Sequence, residues 1–167
     1  MMIVFSCGGG PATQVPSESV PAAQTAASVD VDGDPDTFDP SSISQDIYDS
    51  TKSDVQHLIE ELNGIIRSKN YNAWKSYLDE DYLADISSSE YLRRISDTAA
   101  MKSQKIVLRV PEDYFNYVVV PSRANSRVDD IEFITQRRVK AFTVTEKGQR
   151  LRLYDLERSG NGWKIIN

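Results

Sequence analysis

The 167-residue chain is 40% hydrophobic and carries 25 acidic residues against 19 basic ones, for a net charge of −6, which suits one ordinary domain with a real core plus a tail. Residues 1–40 hold Glu18, Asp30, Asp32, Asp34, Asp36 and Asp39 with no Lys or Arg, so the rest of the chain is balanced at 19 of each sign and has no overall field to draw in nucleic acid. One Cys and one His exclude an internal disulfide and a zinc centre of the usual N/S type, leaving no metal or cofactor to expect, and no run approaches the roughly 18 apolar residues of a spanning helix.

In chain order, the first feature is Ile3, Val4, Phe5 and Ser6 leading into Cys7, followed by Gly8, Gly9 and Gly10. Apolar positions, a small residue and a cysteine resemble the lipobox of bacterial lipoproteins, although Phe5 is bulkier than usual at its place. The resemblance implies that Cys7 is acylated and becomes the first residue of the mature chain, so residues 1–7 are read as the remnant of a signal and the lipid attachment site. The basic n-region and a full apolar run are not among these seven residues, so a signal reading expects the coding start upstream.

Residues 8–40 are rich in Gly, Pro, Ala, Ser, Thr and Asp and nearly free of large apolar groups. Such a segment cannot offset its ordering entropy and reads as a disordered acidic tether, which is what a lipid-anchored domain needs to stand clear of a bilayer. Within it, "DVDGDPDTFD" invites a calcium-loop reading, but the register fails. Gly33 at the sixth position puts Ser28 first and Asp39 twelfth, where Asp and Glu are expected, and starting at Asp30 instead puts Pro35 at the glycine position.

Residues 41–167 read as a single domain. Val55, Leu58, Ile59, Leu62, Ile65 and Ile66 form a helical stripe behind a capping box at Ser53 and Gln56, with Ile43, Ile47 and Tyr48 pointing to an earlier turn or a longer helix and Asn70 to a stop. "YNAWKSYLDEDYL" reads as a second helix, and Ser87 with Glu90 caps a third. The period then changes: "KIVLRV", "DYFNYVVV", "VDDIEFI", "RVKAFTV", "RLRLYDLE" and "WKII" read as strands separated by turn residues. Helices followed by strands predict an α+β fold with an antiparallel sheet.

Gly160, Gly162, Trp163, Lys164 and Ile165, together with Trp74 through Asp81, resemble the final hairpin and second helix of the nuclear transport factor 2-like (SnoaL-like) superfamily. The resemblance implies helices packed on a curved antiparallel sheet to make a cone whose mouth holds a ligand or an active site. Trp74 and Tyr117 are the candidate cavity-lining residues under that reading. Gly64, inside the first helix, either admits a close contact or widens the cone.

The chemistry-bearing groups have plain readings beside the functional ones. His57 lies away from the apolar stripe with Asp54, Glu60 and Glu61 and reads as a surface residue, so neither a Ser-His-Asp nor a Cys-His set is available. Asp130 and Glu132 alternate onto one strand face as possible paired acids, or as partners of arginine. Arg150, Arg152 and Arg158 share a face with Tyr154 and Leu156 under strict alternation, either to bind an anion or to pair across strands. "DYFNYVVV", apolar on both faces as a strand, calls for cover on both sides and so leaves room for a homodimer through the sheet.

The favoured reading is a lipid-anchored envelope protein, periplasmic or surface-facing, whose domain binds a small ligand or a protein partner without catalysis. The alternatives are an acid–base enzyme of the ketosteroid-isomerase or SnoaL kind, and a cytosolic structural domain.

Overall fold

A computed structural model of the chain describes residues 37–160 and 162–167, so Cys7 and residues 8–36 of the expected tether lie outside the described residues, while its last four, 37–40, lie within them and Phe38 packs against the core. The described part begins with a short 3-10 turn, Pro40–Ser42, capped by the Asp39 carboxylate, and continues into α1 (Gln45–Arg67). Ser44 is the cap of α1, its hydroxyl accepting from the Ile47 amide. Ser53 therefore lies inside the helix rather than at its start, and the longer of the two expected helices is the one formed. Thr51, Val55, Leu58, Ile59, Leu62, Asn63 and Ile66 make the buried face, at the three- and four-residue spacing that one side of a helix requires. Lys69 takes a left-handed φ of +54°, and the Asn70 amide returns to the Ile65 carbonyl at 3.1 Å, which closes the helix end. Asn70 then caps α2 (Tyr71–Lys75) by accepting from Ala73, so it starts the next element instead of stopping the last.

Three further helices follow: α3 (Glu80–Ser87), α4 (Ser89–Ser96) and α5 (Ala99–Ser103). The cap of α4 is Ser88, one residue beyond the expected Ser87.

The next two expected strands are not strands. "KIVLRV" runs outside any regular element, its last three amides taken by side chains: Ser96 Oγ accepts from Leu108, and Asp113 accepts from Arg109 and Val110. "DYFNYVVV" is helical, in three joined pieces: α6 (Pro111–Tyr114), a π-helical turn (Phe115–Val119) and α7 (Val120–Arg123). Pro121 explains the middle piece. A proline inside a helix has no N–H to donate and its ring strikes the carbonyl four residues back; the wider turn, with the Val120 amide reaching Phe115 O, relieves that clash. Tyr114, Phe115 and Val119 are buried on one side, so packing overrides the β preference of the valine run. The case for a second subunit, a strand apolar on both faces, falls away with the strand.

The sheet has four strands in sequential antiparallel order: β1 (Asp130–Phe133), β2 (Arg138–Val144), β3 (Arg150–Ser159) and β4 (Gly162–Ile165). Its inner face carries Ile131, Phe133, Val139, Ala141, Tyr154, Leu156, Trp163 and Ile165, all buried in one core with the α1 stripe. The pairing of β2 with β3 shifts register between Ala141 and Phe142, which face Tyr154 and Arg152. Leu153 is thus an extra residue, a β-bulge, and it reverses the expected faces. Arg150 and Arg152 point to the outer side with Asp155 and Glu157, opposite Tyr154 and Leu156. At the other edge the α2–α3 link joins the sheet, with Ile165 N donating to Tyr77 O (2.8 Å) and Asp79 N to Ile165 O (2.9 Å).

Candidate functional site

Where α3 and α4 meet the α6–α7 run and the bulged part of β3, a cavity of about 300 Å3 is lined by Tyr82, Tyr91, Tyr114 and Tyr154, by Arg123 and by Trp74. Each element contributes for a local reason. The bulge at Leu153 turns Tyr154 inward; α7 ends at Arg123, and α3 and α4 each bring a tyrosine from the side that faces the helical run.

Aromatic packing fixes the walls. Trp74 stacks tilted on Phe115 at 5.0 Å, with Tyr71 at 6.2 Å and 5.9 Å from the two rings, and Tyr91 meets Tyr114 edge-on at 5.6 Å. Tyr91 donates its hydroxyl hydrogen to the Tyr114 hydroxyl (3.4 Å), and the Tyr82 phenol stands close to Tyr114. Burial pushes the Tyr114 and Tyr154 phenols up to about 12, and it raises Tyr82 and Tyr91 as well. All four are therefore neutral O–H groups at physiological pH. The Arg123 guanidinium lies over the Tyr154 ring at 5.6 Å, bonds the Ser122 carbonyl at 3.5 Å, and has no ion pair among the described residues.

Two buried donors, Trp74 Nε1 and the Tyr154 hydroxyl, have no partner among the described residues. Leaving such a group unsatisfied costs about 1–3 kcal/mol. No Asp or Glu lines this cavity; the carboxylates Asp85 and Glu90 line an adjoining one that shares Tyr82 and Tyr91.

Of the sequence candidates, Trp74 is at this cavity as a core residue, 2% exposed, whereas Tyr117 is 47% exposed on the π turn and does not line it. His57 is an exposed residue of α1. Asp130 and Glu132 both serve Arg150, at 2.9 Å and 3.3 Å, and Arg150 itself covers the Phe142 ring at 4.0 Å. Arg152 pairs with Asp155 (3.0 Å) on the outer face, and Arg158 pairs with Asp54 of α1 (2.7 Å) while lying over Trp163. The arginine row is thus committed to pairs across the sheet, within β3 and between helix and sheet. A Cβ added at Gly64 would meet nothing within 4 Å, so no close contact requires that glycine. The described residues hold no group of three or more His, Cys, Asp or Glu placed to bind a metal.

A curated protein of Treponema pallidum (strain Nichols), named "Uncharacterized lipoprotein", is 34% identical to this chain over 130 residues, which span 78% of the chain and 68% of that protein. The chain belongs to the family of this treponemal lipoprotein. No protein-family model matches the chain, and no solved structure matches it. Among the described residues of this family member, no helix is long and apolar enough to cross a membrane.

Proposed function

We propose that the chain is a lipid-anchored protein of the bacterial cell envelope, attached through Cys7 and held off the membrane by residues 8–40, and that residues 41–167 bind a small ligand without transforming it. Support for the anchor comes from the apolar lead-in to Cys7 and from the name of the treponemal relative. The observation that carries the binding function is the tyrosine-lined cavity of about 300 Å3, with Arg123 in its wall. In this reading the helices and the bulged sheet are an open cone of the nuclear transport factor 2-like kind, with the cavity at its mouth. The four strands, where the sequence predicts six, are its departure from that pattern.

The lining favours binding over acid–base catalysis because its side chains supply neutral phenols and guanidinium groups, with no Asp or Glu side chain among them to move protons. Native mass spectrometry of the protein purified from its own cells tests the reading, beside Val118→Trp, a substitution that places an indole at the cavity wall. The expected result is one retained small molecule on the native protein and none on the variant. Identical spectra without any bound molecule would overturn the binding function.

A further inference from the structure

We propose that residues 105–110 are a docking edge for a partner protein, which lays an extended, acidic peptide segment alongside them. This surface shares no lining residue with the tyrosine cavity and goes beyond the binding function proposed for that cavity.

"KIVLRV" has the composition of a strand, and it keeps a strand's alternation without a sheet to belong to. Lys105, at a left-handed φ of +56°, turns the chain out of α5 as the Ile106 amide returns to the Met101 carbonyl at 3.0 Å. Two residues on, the Leu108 amide donates to Ser96 Oγ at 2.9 Å. Amides two apart that turn to one side, with Ile106 half-buried and Leu108 buried between exposed Lys105, Val107 and Arg109, mark extended chain. Val107 is left facing the other way. It is 64% exposed, and neither its N–H nor its C=O has a hydrogen-bond partner among the described residues. The Arg109 amide is closed by Asp113 at 2.8 Å, so the open edge is centred on Val107.

An unpaired edge of this kind is a template for a second extended chain. The charge around it selects an acidic one. A groove of about 640 Å3 beside the segment is lined by Arg93, Lys102, Lys105 and Arg109, with Asp97 as its one carboxylate side chain, and Asp97 is paired with Lys102 at 3.1 Å. Arg93, Lys105 and Arg109 have no ion pair among the described residues. Asp113, just past the groove, is turned to the Arg109 and Val110 amides. Lys105 and Arg109 flank Val107 on the exposed side, so acidic side chains of a peptide laid there meet cations across the pair, over an apolar floor of Leu92, Ile106 and Leu108. A lipid surface would answer the cations but not the Val107 backbone, which favours a peptide.

Calorimetric titration of the full chain with the peptide Glu-Val-Glu-Val-Glu-Val-Glu tests this, beside a copy with Lys for Glu and a copy N-methylated at every residue, which keeps the charge and loses the backbone donors. The acidic peptide is expected to bind about tenfold or more tightly than either control, and high salt is expected to weaken it. Val107→Pro removes a donor that no bond within the fold uses, and it should weaken the acidic peptide about tenfold, as should Lys105→Gln/Arg109→Gln. Equal binding of the N-methylated copy would reduce the contact to charge and overturn the edge. Equal binding of the basic copy would overturn the acidic partner. If no peptide binds, but the Cys7→Ser chain binds vesicles of equal parts phosphatidylglycerol and phosphatidylcholine and loses them on adding Lys105→Gln/Arg109→Gln, the face belongs to a bilayer and the assignment is overturned. Self-association that Val107→Pro abolishes, with no peptide bound, would give the edge to a second copy and overturn it likewise. Binding of none of these overturns it outright. The peptide comparison uses unaltered protein, so it decides the matter even if a variant misfolds.

Discussion

The buried tyrosines give the site a pH signature. Tyr114 and Tyr154 titrate near 12 in the folded chain, pushed up by burial, against about 10 in an unfolded one. A group whose folded pKa lies above its unfolded value binds its proton more tightly when folded. Its stabilising contribution is complete below the unfolded pKa and is lost as pH climbs through the folded one. Stability is therefore expected to hold up to about pH 10 and to fall between about 10 and 12. Denaturant melts followed beside phenolate absorbance check this, and Tyr154→Phe should make the loss shallower; a melt that is flat over that window would contradict the burial of these phenols. Gly64 offers a test of opposite sign. A methyl group at this position would meet open space, so Gly64→Ala is expected to stabilise α1 by about 0.5–1 kcal/mol, and a lower urea midpoint would show that the glycine has a role the packing does not reveal.

At the scale of elements, the two faces of the sheet should respond very differently to substitution. Leu156 is fully buried between β2 and β4, so Leu156→Ala should cost about 2–5 kcal/mol. Arg150 holds Asp130 and Glu132 on the outer face with 43% of its side chain exposed, so Arg150→Ala should cost no more than about 1 kcal/mol. Chemical denaturation of both variants decides it, and a larger loss from Arg150 would mean that the outer face is covered.

The four true strands are legible in the sequence because their polar and apolar positions alternate between turn residues. "DYFNYVVV" reads wrongly as a strand because a segment apolar on both strand faces has no period to measure, and Pro121, which suggests the turn after a strand, is instead the cause of a π turn within a helix. Ser44 and Ser53 are both good cap residues, and packing of Tyr48 and Thr51 chooses the first. The bulge at Leu153 leaves no trace in the alternation, so a strict period of two puts the arginines on the wrong face. The cavity is out of reach for a related reason: Tyr82, Tyr91, Tyr114, Arg123 and Tyr154 come from separate elements, share no motif, and meet only after the helix and the bulge are in place.

At the scale of the whole molecule, the proposed anchor and tether would carry a domain, residues 41–167, that is neutral overall, while the N-terminal 40 residues hold the net charge of −6. An acidic segment without a basic residue would be repelled by a bilayer bearing negative charge, in keeping with the proposed tether. The central claim is attachment through Cys7. Its most direct test is the intact mass of the protein purified with detergent from its own cells, beside a Cys7→Ser variant. The expected species is a mature chain that begins at Cys7 and carries added acyl mass, with that mass absent from the variant. An unmodified chain beginning at Met1 or Met2 would contradict the claim.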